Sequence, residues 1–221
     1  MNNRTRGIVI NDCRICGGHT HPLVDDELDV TYDVCQTCGF IYKQPLYHLG
    51  LDAEKSRYLS HHNADDNVSY VTYLQAFIET SIHPLQGIQT ILDFGSGPNP
   101  VLRRLLEQDG YVVADYDPFF HDDKSYRDNH YDLIVLTEVL EHIHHPLSAM
   151  EHLVDLLNDQ GRILIMTQFR TMNETAFLNW WYRRDTTHVG FFNDKTFATI
   201  AKRLSLTIEY SNHIDRILLS K

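Results

Sequence analysis

No stretch of this 221-residue chain stays apolar long enough to form a membrane-crossing helix, so no membrane partner is expected. The first residues, Met-Asn-Asn-Arg-Thr-Arg, lack the apolar core of a signal peptide, and a cytoplasmic location is expected. Basic residues are in the minority: 19 Lys and Arg face 30 Asp and Glu, a formal net charge of −11. That balance argues against a broad nucleic-acid footprint, though not against a local basic patch. Internal repeats and low-complexity tracts are missing, and no Gly-Lys-Ser/Thr follows a glycine turn, which excludes a P-loop. Cysteine is scarce, and all four lie within the first 38 residues.

What is present is organised around Ile91-Leu92-Asp93-Phe94-Gly95-Ser96-Gly97-Pro98-Asn99-Pro100. An apolar run ending at Leu92 reads as a buried parallel strand. Gly95 and Gly97 allow a tight turn and the close approach of a ligand. Asn99 suits a helix N-cap and Pro100 the first helical position, with Val101, Leu102, Leu105 and Leu106 at helical spacing and Gly110 as the stop. A second strand follows from Tyr111 to Tyr116. Strand, glycine turn, helix and strand make the cofactor corner of a doubly wound α/β fold.

Two ligands compete for such a corner. A dinucleotide would place its pyrophosphate over the turn, where the Asp93 carboxylate repels it, and Pro100 stands where the third glycine of that fingerprint belongs. S-adenosylmethionine carries an ammonium and a sulfonium group instead, which a carboxylate suits. Asp117, ending the next strand, can accept ribose hydroxyls of either ligand. The order Asp93-x-Gly95-x-Gly97 resembles motif I of the class I S-adenosylmethionine-dependent methyltransferases. The apolar strand Tyr131–Leu136 followed by Thr137-Glu138-Val139-Leu140-Glu141-His142, through His145-Pro146, resembles the fourth-strand motif of that family.

The resemblance covers residues 67–221 and implies a Rossmann-like doubly wound sheet with S-adenosyl-L-methionine as methyl donor. It implies a donor-binding set of Asp93, Gly95, Gly97, Asp117 and Glu138, with Glu138 beside the methionine end. The helix and third strand that the family fits between Asp117 and Tyr131 must here be short or absent, leaving Asp122 and Asp123 as the acids for an adenine contact. Phe119 and Phe120 either sandwich adenine or pack beneath the sheet. The segment Gln168–Thr187, with Trp180, Trp181 and Tyr182 beside Arg183, Arg184 and Asp185, reads as an acceptor pocket or a partly buried lid. Asp185-Thr186-Thr187-His188 resembles a loop of the same family before its last helix. His188, His142 and Asp185 are the candidate acid/base groups, with structural roles as the alternative. Asn193 caps the last helix, and Leu206–Tyr210 and Ile214–Leu219 form a closing strand pair.

Cys13-x2-Cys16 and Cys35-x2-Cys38 match a four-thiolate zinc ribbon, each pair followed by a glycine (Gly17, Gly39). Two disulfides are the alternative, and they need an oxidising compartment. Four thiolates leave no open position, so a Zn2+ ion here is structural. The chain divides into a ribbon (1–45), a linker or lid (46–66) and a methyltransferase domain (67–221). In the linker, His61-His62-Asn63 is either a ligand contact or a solvated loop. From Asn67 an amphipathic helix carries Val68, Val71, Leu74, Phe77, Ile78 and Ile82 along one stripe.

The expected activity is methyl transfer to a small molecule, with nucleic-acid and protein acceptors as lesser alternatives. Two rival functions remain. One is an NAD-type oxidoreductase; the other is a non-catalytic adaptor that uses the ribbon for contact and keeps a vestigial cofactor pocket.

Overall fold

The computed structural model describes residues 11–60, 64 and 67–221, so His61-His62-Asn63 lie outside the described residues. In chain order the elements are β1 (Thr20–Asp25), β2 (Val30–Cys35), β3 (Ile41–Lys43), α1 (Leu51–Leu59), α2 (Val68–Phe77), β4 (Thr90–Phe94), α3 (Val101–Gln108) and β5 (Val112–Tyr116). There follow β6 (Tyr131–Thr137), α4 (Pro146–Asp155), β7 (Leu157–Met166), α5 (Glu174–Leu178), β8 (Gly190–Phe191), α6 (Asp194–Arg203), β9 (Thr207–Ser211) and β10 (Arg216–Ser220). Among the described residues no helix is long and apolar enough to cross a membrane.

The large sheet has the order β5-β4-β6-β7-β10-β9. Its first four strands are parallel, and β10 runs antiparallel to both β7 and β9. The central strands are continuous apolar runs because both faces are covered. Ile134, Leu136, Ile163 and Ile165 pack against Met150 and Leu153 of α4 and Phe197 and Ile200 of α6. Leu133, Val135 and Leu164, pointing the other way, pack against Leu74 and Phe77 of α2 and Leu102 and Leu106 of α3. This is the Rossmann-like doubly wound sheet expected. Between Asp117 and Tyr131 the chain forms only a short 3₁₀ turn, Lys124–Asp128, and β5 is the edge strand. The thirteen-residue gap is too tight for a helix and a further strand, as the sequence indicated.

Local expectations hold unevenly. Asn67 caps α2, accepting from Tyr70 N at 3.2 Å, and Asn193 caps α6, accepting from Thr196 N at 3.1 Å. Val68, expected on the buried stripe, is exposed, because packing on the core begins with Tyr70 and Val71 and is complete only at Leu74. Helix α3 begins at Val101 rather than Pro100: Pro100, with ψ 65° outside the helical region, takes the N-cap place itself and brings no side-chain cap. The polar 46–66 segment contains α1, a helix that its composition concealed because Glu54 is its one buried residue.

The N-terminal sheet has the order β1-β2-β3-β8. Its hairpin pairs Thr20 with Cys35 and Asp25 with Val30, and Asp25 closes the turn by accepting from the Glu27 and Leu28 amides at 3.1 Å. The fourth strand comes from far along the chain, Ile41 pairing with Phe191. Cys13, Cys35, Cys38 and Phe40 belong to the same buried cluster as Phe192 and Phe197.

Candidate functional site

A cavity of about 830 Å³ opens at the carboxyl ends of β4, β5 and β6 and reaches under α1 and the 181–188 loop. One end is made by backbone. Gly95 (φ 86°) and Gly97 (φ 69°) take left-handed conformations, and the Gly95 amide folds back onto the Tyr116 carbonyl at 2.7 Å. A Cβ on Gly95 would lie 2.5 Å from Val139 Cγ2. Asp93 is 2% exposed, and burial, with Asp115 and Asp117 nearby, pushes its pKa up to about 7. Asp117 accepts from Gly97 N at 3.0 Å, Phe119 N at 2.8 Å and Phe120 N at 3.2 Å, tying the glycine turn to the end of β5. Phe119 and Phe120 line the cavity; Asp122 and Asp123 are exposed and do not. A buried carboxylate beneath a cradle that a side chain would fill fits a cationic, phosphate-free ligand.

The other end is made by side chains from separate segments. Glu138 follows β6 with φ 54°, its amide donating to Met166 O at 2.8 Å. The Tyr182 hydroxyl stands 2.8 Å from Glu138 Oε2 and also contacts Glu141 Oε1. A single O–H cannot be donated twice, so one carboxyl of an isolated pair carries its own proton. Glu141 is the better holder: it is 0% exposed, and burial, then the Glu138 charge, raise its pKa well above the carboxylate range. Burial raises that of Glu138 as well.

His142 Nδ1 donates to Thr187 O at 3.2 Å and His188 Nδ1 to Tyr182 O at 2.8 Å. A carbonyl can only accept, so in each neutral ring the lone pair is on Nε2. The two rings meet edge to face at 4.7 Å, and one ligand atom each of Glu141, His142 and His188 lie within 4.8 Å of one another. Asp185 takes another part. Although burial opposes it, Arg57 at 2.6 Å and the Thr187 hydroxyl and amide at 2.6 and 3.0 Å hold its pKa well below the usual range. Such a carboxylate anchors the loop and is a poor base at neutral pH.

The four cysteines converge. Sγ of Cys13 lies 3.5 Å from that of Cys38, and Sγ of Cys16 lies 3.4 Å from that of Cys35; none is in a disulfide. Amides of Ile15, Gly18 and Cys38 donate to the sulfurs at 3.3–3.4 Å. Four sulfurs about 2.3 Å from a tetrahedral ion stand about 3.8 Å apart, close to this arrangement. The ribbon also grips the cavity loop. Arg183, 1% exposed, pairs with Asp25 at 3.2 Å and Glu27 at 2.5 Å, while Lys43 Nζ donates to Thr186 O at 3.0 Å.

The fold thus brings Asp93, Gly95, Gly97, Asp117 and Glu138 to one cavity, with His142, Asp185 and His188 at its far side. The sequence reading missed Arg57 and Tyr58 of α1, Tyr70 and Tyr73 of α2, and the double contact of Tyr182. The aromatic cluster Trp180-Trp181-Tyr182 was the only signal, and it does not say which ring turns inward. Trp181 lines the cavity mouth and is 66% exposed; Tyr182 is buried.

A family model described as "Methyltransferase domain" matches residues 58–211. No curated protein matches the chain. Among solved structures, an O-methyltransferase family protein from Burkholderia thailandensis is similar with TM-score 0.54 and 14% identity, over 76% of this chain and 62% of that one. A SAM dependent methyltransferase from Archaeoglobus fulgidus gives 0.51 and 15%, over 68% and 94%. Magnesium protoporphyrin IX methyltransferase from Synechocystis PCC 6803, with bound SAH, gives 0.50 and 13%, over 76% and 92%. The chain spans under two thirds of the first of these and nearly all of the other two. At such identities the likeness is one of fold.

Proposed function

The chain belongs to the methyltransferase-domain family, and on that premise we propose that it transfers the methyl group of S-adenosylmethionine to a small-molecule acceptor, with a structural zinc ion in the ribbon. The observation that carries the donor is Asp93, a buried carboxylate directly under the glycine turn. It favours an ammonium and disfavours the pyrophosphate that an oxidoreductase cofactor would lay there. Asp117 is assigned to the ribose hydroxyls and Glu138 to the methionine end. The bound donor supplies a methyl group already electrophilic on sulfur. The protein's work is then alignment and exclusion of water. Tyr58 and Trp181 flank the acceptor half, and a cavity of about 830 Å³ suits a donor with a small molecule beside it. On the acceptor side His142 and His188 supply the basic lone pairs, and Asp185 positions their loop.

S-adenosylhomocysteine is expected to raise the melting temperature by several degrees and NAD to leave it unchanged; the reverse would establish the oxidoreductase reading. Incubation of methyl-labelled donor with size-fractionated cell extract should put label into the small-molecule fraction. Label in protein or nucleic acid would reassign the acceptor, and no transfer from any fraction would favour the adaptor.

A further inference from the structure

Glu138 and Glu141 are two buried carboxyls sharing one hydroxyl, with His142 and His188 beside them. Among the described residues, no lysine or arginine forms an ion pair with either glutamate, and the buried Glu141 Oε2 has no hydrogen-bond partner. We propose that Glu141, His142 and His188, with Glu138 adjoining, form a divalent-cation site on the acceptor side of the cavity, for a first-row transition ion of the Mn2+ or Fe2+ kind whose open positions take oxygen atoms of the acceptor. The inference rests on the methyl-transfer reading and narrows its acceptor to a hydroxylated molecule able to bind a metal through oxygen.

Three observations support the site. Both imidazoles are oriented as metal ligands are: Nδ1–H is committed to a backbone carbonyl, Thr187 O or Tyr182 O, and the lone pair sits on Nε2. The ligand atoms are also close enough. Bonds of about 2.0–2.2 Å around one ion separate neighbouring ligands by roughly 2.8–4.4 Å, so a cluster within 4.8 Å closes by a few tenths of an ångström. The charge argument is the third. Two buried carboxyls lie side by side with no lysine or arginine paired to either among the described residues, and Glu141 Oε1 stands 4.0 Å from His142 Nε2, so a cation there would meet both charge and ligand. Two imidazoles with a carboxylate suit a first-row transition ion, whereas four thiolates prefer zinc, so the two centres do not compete. Glu138, His142 and His188 line the cavity, giving an ion there direct access to an acceptor.

The test is a Mn2+ titration of the full chain with zinc in the ribbon, saturated with S-adenosylhomocysteine. Free Mn2+ is followed by electron paramagnetic resonance. The expected result is one Mn2+ bound per chain. His188→Gln and His142→Gln should each weaken Mn2+ at least tenfold while S-adenosylhomocysteine affinity stays within twofold and the melting temperature holds. Absence of stoichiometric Mn2+ in the unaltered protein, or Mn2+ affinity in both variants unchanged from that of the unaltered protein, would overturn the site. If a histidine variant fails to fold, Glu141→Gln carries the same comparison, and the titration of the unaltered protein decides by itself. The donor is measured separately: Mn2+ binding to a chain that ignores S-adenosylhomocysteine would overturn the methyl-transfer reading and leave the cation site standing.

Discussion

At one end of the cavity Asp93, Gly95, Gly97 and Asp117 come from a single strand-turn-helix-strand unit, and what they present is mostly backbone. At the other end Arg57, Glu138, His142, Tyr182 and His188 arrive from three separated segments and present side chains. The first surface is held by its own turn: Asp117 accepts three nearby amides, and Gly95 N reaches the adjoining strand. The second depends on the ribbon. β3 pairs with β8, Arg183 is clasped by Asp25 and Glu27, and Lys43 holds Thr186, so the loop with Tyr182 and His188 is fixed from a module that, among its described residues, supplies none to the cavity wall. The contrast indicates that the glycine-turn end holds itself, while the geometry of the other end is conditional on the four-cysteine ribbon.

The strongest challenge to this division is Cys35→Ser. Loss of a zinc thiolate should release the ion and unfold the ribbon, since structural zinc supplies much of such a module's folding energy. Methyl transfer should fall by roughly 10²-fold or more, the scale of misplaced reacting groups, while S-adenosylhomocysteine affinity changes less than about threefold. Hydrogen exchange should show protection lost across residues 20–43 and 181–191 and retained in β4 and β6. An equal loss of donor affinity would join the two ends into one unit.

A smaller effect is expected from Gly95→Ala, which attacks the donor end alone. The added Cβ meets Val139 in a left-handed conformation that alanine resists, and the strain should weaken S-adenosylhomocysteine by roughly 1–3 kcal/mol. Calorimetry should show that loss with zinc content and ribbon protection intact. Unaltered affinity would mean that the turn tolerates a side chain and that its glycine serves folding only.

Close to neutral pH the mildest effect is a pH dependence. Asp93 has a folded pKa of about 7 against 3.8 in its unperturbed state, so between these values the folded chain holds a proton that the unfolded chain has lost. Stability from this group is full below about 3.8 and is lost as pH rises toward 7. The ligand-free melting temperature should therefore fall across that window. The donor's ammonium needs the ionised form, so S-adenosylhomocysteine affinity should drop up to about tenfold per pH unit below 7. Glu138 and Glu141 are raised too, and the comparison with Asp93→Asn separates them: the variant should lose the Asp93 share of both slopes.

The strand-turn-helix-strand corner could be read from the chain because each part is local. An apolar strand, two glycines and an acid at the next strand's end obey turn chemistry and short-range spacing. Glu138, Glu141 and His142 were visible for the same reason, lying within one strand-end motif, and the cysteine spacing marked the ribbon. What escaped were α1, whose sequence shows almost no buried stripe, the inward turn of Tyr182, and the clasp of Arg183 by Asp25 and Glu27. Asp185 was visible as a residue with acid/base and structural roles both open, because its partner Arg57 lies 128 positions away.

The sequence alone thus determined the doubly wound class of the sheet, the glycine turn and a four-thiol module, since periodicity, glycine conformation and ligand spacing act over a few residues. Only the tertiary structure decided that the ribbon takes its fourth strand from residues 190–191 and that two carboxyls share one tyrosine. It also decided that two histidines from different loops stand beside them. Those arrangements depend on contacts between segments far apart in the chain, where side-chain packing and buried charge determine which partners meet.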